Sequence, residues 1–93
     1  MQTSLMPLFD GLEANNADWL SWARHEAYRE SVRAGFVTSD YIRMLCDSYN
    51  YQPDSKYSFG ALFKQAGWRC IGRQASTYKS NQGRWIGQWR WEA

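Results

Sequence analysis

Metal ligands and redox groups are scarce in this 93-residue chain, which has one histidine, His25, and two cysteines, Cys46 and Cys70. Two cysteines 24 positions apart and one histidine do not make a zinc site unless a carboxylate joins them, and no C-x-x-C spacing occurs. A disulfide-stapled secreted scaffold would want more cysteines, so both thiols are expected to be reduced and buried as small hydrophobes. With a single histidine there is no H-x-x-x-H pair. Neither G-x-x-x-x-G-K-[ST] nor G-x-G-x-x-G occurs, so no nucleotide-binding loop is expected. His25 with Glu26 and Ser21 or Ser31 matches a triad only in composition, because helical geometry spreads these residues around the axis. Glu26 and Glu30 have Arg29 and Arg33 beside them, the pattern of a salt-laced surface. The expectation is a non-enzymatic protein without catalytic residues, metal or cofactor. No apolar run approaches the roughly 18 residues of a membrane span. The opening MQTSLMPLFDGL carries no Lys or Arg and breaks its apolar run at Pro7, so it does not read as a secretory leader. A cytoplasmic protein without membrane attachment is expected.

Aromatics are in surplus: six Trp, six Tyr and four Phe, 17% of the chain. Disordered chains are poor in such residues, so the excess predicts a packed fold. A chain of this length makes one core and has no room for a second domain. The net charge of +2 hides a split. Residues 1–54 hold eight acids against four arginines, a net −4, while residues 55–93 hold seven bases against Glu92 alone, a net +6. Such a split suits a C-terminal part that meets a polyanion; the alternative is a solvated basic face without a partner.

Residues 1–14 read as an irregular arm. Asn15 and Asn16 are good N-caps, and Asp18 falls in the first turn, where the helix dipole favours an acid. Leu20, Ala23, Ala27, Ser31 and Ala34 recur at helical spacing, with Trp19 and Trp22 widening the stripe. Arg33 and then Gly35 close this first helix, which spans 17–34. Phe36-Val37 is a short extended piece. Thr38-Ser39-Asp40 opens a second helix whose apolar positions are Tyr41, Ile42, Leu45, Cys46 and Tyr49. A turn around Pro53-Asp54-Ser55 follows. A third helix is predicted over 56–66 from Phe59, Leu62, Phe63 and Ala66, stopped by Gly67. Beyond Gly67, two runs rich in β-formers, 68–78 and 84–91, flank the turn chemistry of residues 79–83. They predict a hairpin with Trp85, Trp89 and Trp91 on one face and Ile86, Gln88 and Arg90 on the other.

Helix, short strand, helix, helix, hairpin is the order of a winged helix, an α+β fold in which a helix-turn-helix is flanked by a hairpin wing. The expected division is an arm over 1–14 and a winged-helix domain over 15–93. The third helix would present Tyr57, Gly60, Ala61, Lys64 and Gln65 opposite its apolar stripe. Two small residues among polar ones let a helix approach the floor of a major groove about 12 Å wide. Lys56 precedes that helix and would face a phosphate. The wing carries Arg73, Ser76, Thr77, Tyr78, Lys79, Asn81 and Arg84. Arg and Lys neutralise phosphates, hydroxyls and Asn donate to phosphate oxygens, and Tyr lies against sugar or base. The alternative is a set of long side chains shielding an edge strand. Trp85, Trp89 and Trp91 also have two readings, a stacking platform for a single strand or a core against the first helix.

Along nearly its whole length the chain resembles the small winged-helix proteins of bacteriophages and integrated mobile elements. The landmarks are Leu8-Phe9-Asp10, Trp19-Leu20 with Ala23-Arg24, Val37-Thr38-Ser39-Asp40, Phe59-Gly60-Ala61-Leu62-Phe63, Gly67-Trp68, Gly72-Arg73, Ser76, and Gly83-Arg84 with Ile86, Trp89 and Arg90. The resemblance implies a phage-type DNA-binding module, monomeric or homodimeric, acting on double-stranded DNA in replication or transcription regulation. Gln88 departs from the pattern, where an apolar strand residue is expected. A competing expectation is a protein-interaction or inhibitor module that uses the acidic N-terminal half. In the arm, Leu5-Met6-Pro7-Leu8-Phe9 resembles the short peptide by which bacterial replication proteins bind the polymerase sliding clamp, with Leu5 where Gln is usual. Leu8 and Phe9 would then bind a partner; alternatively Phe9 and Leu12 fold back onto the first helix.

Overall fold

Helices come first and the sheet last. The structure, a computed structural model, describes residues 15–55, 58–78 and 82–92. It comprises α1 (Asn15–Ala34), α2 (Ser39–Tyr49), α3 (Ser58–Ala61), β1 (Trp68–Ala75) and β2 (Trp85–Trp91). This is an α+β arrangement of helices followed by a two-stranded antiparallel hairpin.

On α1 the sealed positions are Trp19, Ala23, Ala27 and Ser31, so the buried stripe is centred on Trp19. Leu20 is half-buried and Ala34 exposed. Small Ala side chains along this line let neighbouring elements approach the helix axis closely. The chain leaves α1 through Gly35 at φ 94°, a backbone conformation that L side chains rarely adopt. Val37 then exchanges two backbone hydrogen bonds with Trp89, donating at 2.8 Å and accepting at 2.9 Å. The expected short extended piece is thus a single-residue rung on the edge of β2.

At the start of α2 the Thr38 hydroxyl accepts the Tyr41 N–H at 3.3 Å. Asn50 closes the helix in the left-handed conformation, φ 54° and ψ 47°. Ile42, Leu45 and Cys46 are buried, whereas Tyr49, predicted inside, is 66% exposed.

The third helix is a correction. Residues 56–66 do not form one long helix: the described helical part is Ser58–Ala61, followed by tight turns in which Lys64 N–H bonds the Ala61 carbonyl at 3.3 Å. Two features accompany this early end. Gly60 weakens a helix interior by about 1 kcal/mol relative to Ala. Arg24, on α1, donates to the Ala61 and Leu62 carbonyls at 2.8 and 3.3 Å, satisfying acceptors that the end of the helix leaves open. Leu62 nevertheless reaches the core and Phe63 packs against it.

The hairpin pairs Trp68 with Trp91 through Ala75 with Trp85, and its register jumps between Cys70 and Gly72. Cys70 lies at this irregularity on a strand that only β2 pairs with, and it is exposed, contrary to expectation; Cys46 is buried as expected. The hairpin base packs through rings. Phe63 stacks on Trp89 with centroids 5.1 Å apart and planes 5° from parallel, and meets Trp68 edge-on at 5.1 Å. Trp91 meets Trp68 at 5.2 Å and Tyr28 at 6.1 Å. Aromatic pairs of this kind contribute about 0.5–1.5 kcal/mol beyond the area they bury. Most of the described aromatics are thus buried or half-buried, while Tyr28, Tyr49 and Trp85 are exposed, Trp85 at 65%. No helix among the described residues is long and apolar enough to cross a membrane.

Candidate nucleic-acid interface

The hairpin is braced against α2 by a buried carboxylate. Asp40, in the first turn of α2, accepts the Ser76 hydroxyl on Oδ1 at 2.8 Å. Its Oδ2 accepts the Thr77 N–H at 2.8 Å and the Thr77 hydroxyl at 3.3 Å. The Tyr78 hydroxyl reaches Asp47 Oδ2 at 3.4 Å, and burial followed by the Asp47 charge pushes its phenol above the ordinary 10.0. Ser76 is a correction to the expected phosphate contacts: it is buried, and its hydroxyl is directed at Asp40. Thr77 is exposed and Tyr78 half-buried, and both hydroxyls already serve α2.

The exposed cations among the described residues divide into two groups. Arg29 and Arg33 pair with Glu26 and Glu30, and Arg69 and Arg90 both reach Glu92. Lys64, Arg73 and Arg84 are exposed, and among the described residues none of them forms an ion pair. Arg73 stands opposite Gly87 on the hairpin, and the Arg84 carbonyl accepts the Ser76 N–H at 2.8 Å, one rung beyond the strands. Lys64 lines a cleft of about 280 Å³ between the α3 segment and the hairpin, with Ser39, Gly60, Phe63, Gly87 and Trp89 among its walls. Gly87 makes room for the Trp89 ring, since a Cβ there would lie 2.6 Å from the indole nitrogen.

Gln65, predicted on the same face as Lys64, is exposed but lines a different groove. That groove, about 630 Å³, runs between α1 and the hairpin base and is walled by Leu20, Arg24, His25, Trp68 and Trp91. The two side chains part because the backbone leaves helical geometry after Ala61. Lys56, Tyr57, Lys79 and Asn81, together with Leu8 and Phe9 of the arm, lie outside the described residues.

One residue escaped the sequence reading. The Arg43 guanidinium lies 4.2 Å over the Phe59 ring and 6.0 Å from the Tyr78 ring, and its buried Nε has no hydrogen-bond partner among the described residues. The available signal was its position three residues after Asp40, on the side of α2 that meets the hairpin. No group of three or more metal-ligating side chains occurs among the described residues. Neither protein-family profiles, curated proteins nor solved structures match the chain.

Proposed function

We propose that the chain is a non-enzymatic DNA-binding protein of winged-helix type. It holds duplex DNA through the 56–66 segment and the 68–91 wing, in the replication or transcription control of a phage or mobile element within the bacterial cytoplasm. One observation carries the reading. Lys64, Arg73 and Arg84 are exposed and lack an ion-pair partner among the described residues, on two elements that flank one cleft. A duplex presents a phosphate charge about every 1.7 Å of its axis, and unpaired cations on a braced hairpin suit that array. The Asp40 contacts fix the wing relative to α2, which keeps its cations from moving independently of the helices.

Four acids of the N-terminal half are engaged within the fold, which favours the DNA-binding reading over the rival interaction module. Glu26 and Glu30 are paired with arginines, Asp40 holds the hairpin, and Asp47 accepts from Gln52 and Tyr78. A salt titration of duplex binding decides between the two. About four to six phosphate contacts give a log–log slope of roughly −4 to −5, and absence of binding at about 50 mM salt would overturn the reading.

A further inference from the structure

We propose that Trp85 is a base-stacking residue and that the wing takes an unpaired DNA base as its ligand, in addition to the duplex backbone. The inference rests on the DNA-binding reading above and adds a ligand class to it.

Alternation along β2 places Trp85, Gly87, Trp89 and Trp91 on one face of the hairpin. The inner end of that face is covered: Trp91 lies against Trp68 and Tyr28, and Trp89 stacks on Phe63. Trp85 continues the same face beyond these ring contacts and is 65% exposed. No ring contact involves it among the described residues. Its cross-strand partner is Ala75, too small to cover an indole. The platform of three tryptophans open to the sequence reading is therefore reduced to one.

The charges beside the ring select the occupant. Arg84 is its chain neighbour and Arg73 stands opposite the next residue of the same face, Gly87, and neither forms an ion pair among the described residues. An exposed indole with Arg73 on its own face and Arg84 next to it in the chain disfavours a basic surface and suits a ligand that joins a flat apolar ring to phosphate. A nucleotide with an unstacked base has that chemistry, and aromatic stacking of this kind tolerates any base. In a perfect duplex the base faces are already stacked on one another. Extruding a base costs least where it is mismatched or already single-stranded, so the preferred site is a bubble, junction or duplex end.

The test compares a labelled duplex with the same duplex carrying a short unpaired bubble, by fluorescence anisotropy at low salt. Wild-type protein should bind the bubble roughly tenfold more tightly, the lower range of one base stacked on an aromatic ring. In Trp85→Ala that ratio should fall close to one, and Trp85→Phe should retain part of it. A fluorescent base analogue in the bubble should be quenched by wild-type protein and not by Trp85→Leu. Equal binding of the two DNAs by wild-type protein, or a preference undiminished in Trp85→Ala, overturns the stacking role and leaves duplex binding standing. Failure to bind either DNA overturns the underlying DNA-binding reading.

Discussion

The Asp40 carboxylate and the Ser76 hydroxyl meet at 2.8 Å across 36 positions of chain, joining the first turn of α2 to the end of β1. Both residues are buried, so the contact is shielded from competing water. Asp40→Ala removes the acceptor shared by the Ser76 hydroxyl and the Thr77 N–H and should cost about 2–3 kcal/mol, given the strength of hydrogen bonds to charged groups. For a domain of this size that corresponds to a fall of roughly 10–20 °C in melting temperature. Ser76→Ala should cost less, and the double variant less than the two losses combined, since both act on one network. Thermal denaturation followed by circular dichroism checks all three.

The unpaired cations make a prediction about salt. Replacing Lys64, Arg73 and Arg84 together by Ala should weaken binding to all duplexes alike and flatten the salt slope by about three units, one for each phosphate no longer neutralised. Arg69 and Arg90, both held by Glu92, are the comparison. Their replacement should move the slope less, because their charge is already partly neutralised within the protein. A slope equally sensitive to both sets would relocate the binding surface.

Local grammar carried the reading of the first two helices: Thr38-Ser39-Asp40 as a start, Gly35 as a stop and the apolar stripes around Ala23 and Ile42 act within a few residues of themselves. What escaped it depends on partners far along the chain. Arg24 binds the carbonyls at the end of α3 from 37 and 38 positions away, a contact no local pattern announces. Ser76 looks like a phosphate ligand until Asp40 folds against it. The three alternate tryptophans of β2 share one face, yet only their distance from Phe63 and α1 decides which is covered. Residue type named the bases of the candidate site, but which of them lack an acid is a property of the packed chain.

The inner and outer tryptophans should separate in stability. Trp89 stacks on Phe63 and packs against the buried core, so Trp89→Ala removes a ring from the packing between hairpin and helices. Loss of about 3–5 kcal/mol is expected, as for other large aromatic truncations. Folded domains hold only about 5–15 kcal/mol in all, so this variant should show a large fall in its denaturation midpoint. Trp85→Ala, at an exposed position, should change stability by about 0.5 kcal/mol or less. Urea denaturation of the two variants side by side measures the difference.

The two thiols should differ in reactivity, and the fold should weaken in alkali. Cys70 is exposed, so a thiol reagent should modify it in the native protein at neutral pH, whereas Cys46 should react only on unfolding. Burial pushes the Cys46 thiol above its ordinary 9.0, and likewise the phenols of Tyr41, Tyr51 and Tyr78 above 10.0. These groups lose protons first in the unfolded chain, so at high pH the unfolded state binds fewer protons and stability falls as pH rises. Their contribution is whole below pH 9.0 and is lost as the pH climbs through the thiol and then the phenol range. Melting temperature measured from neutral pH upward should decline first near the thiol value and more steeply once the phenols join. Cys46→Ala should remove the earlier part of the decline and leave the later one, while lowering the melting temperature at every pH through the cavity it opens. A decline that begins at the same pH in both proteins would show that the buried thiol has no part in it.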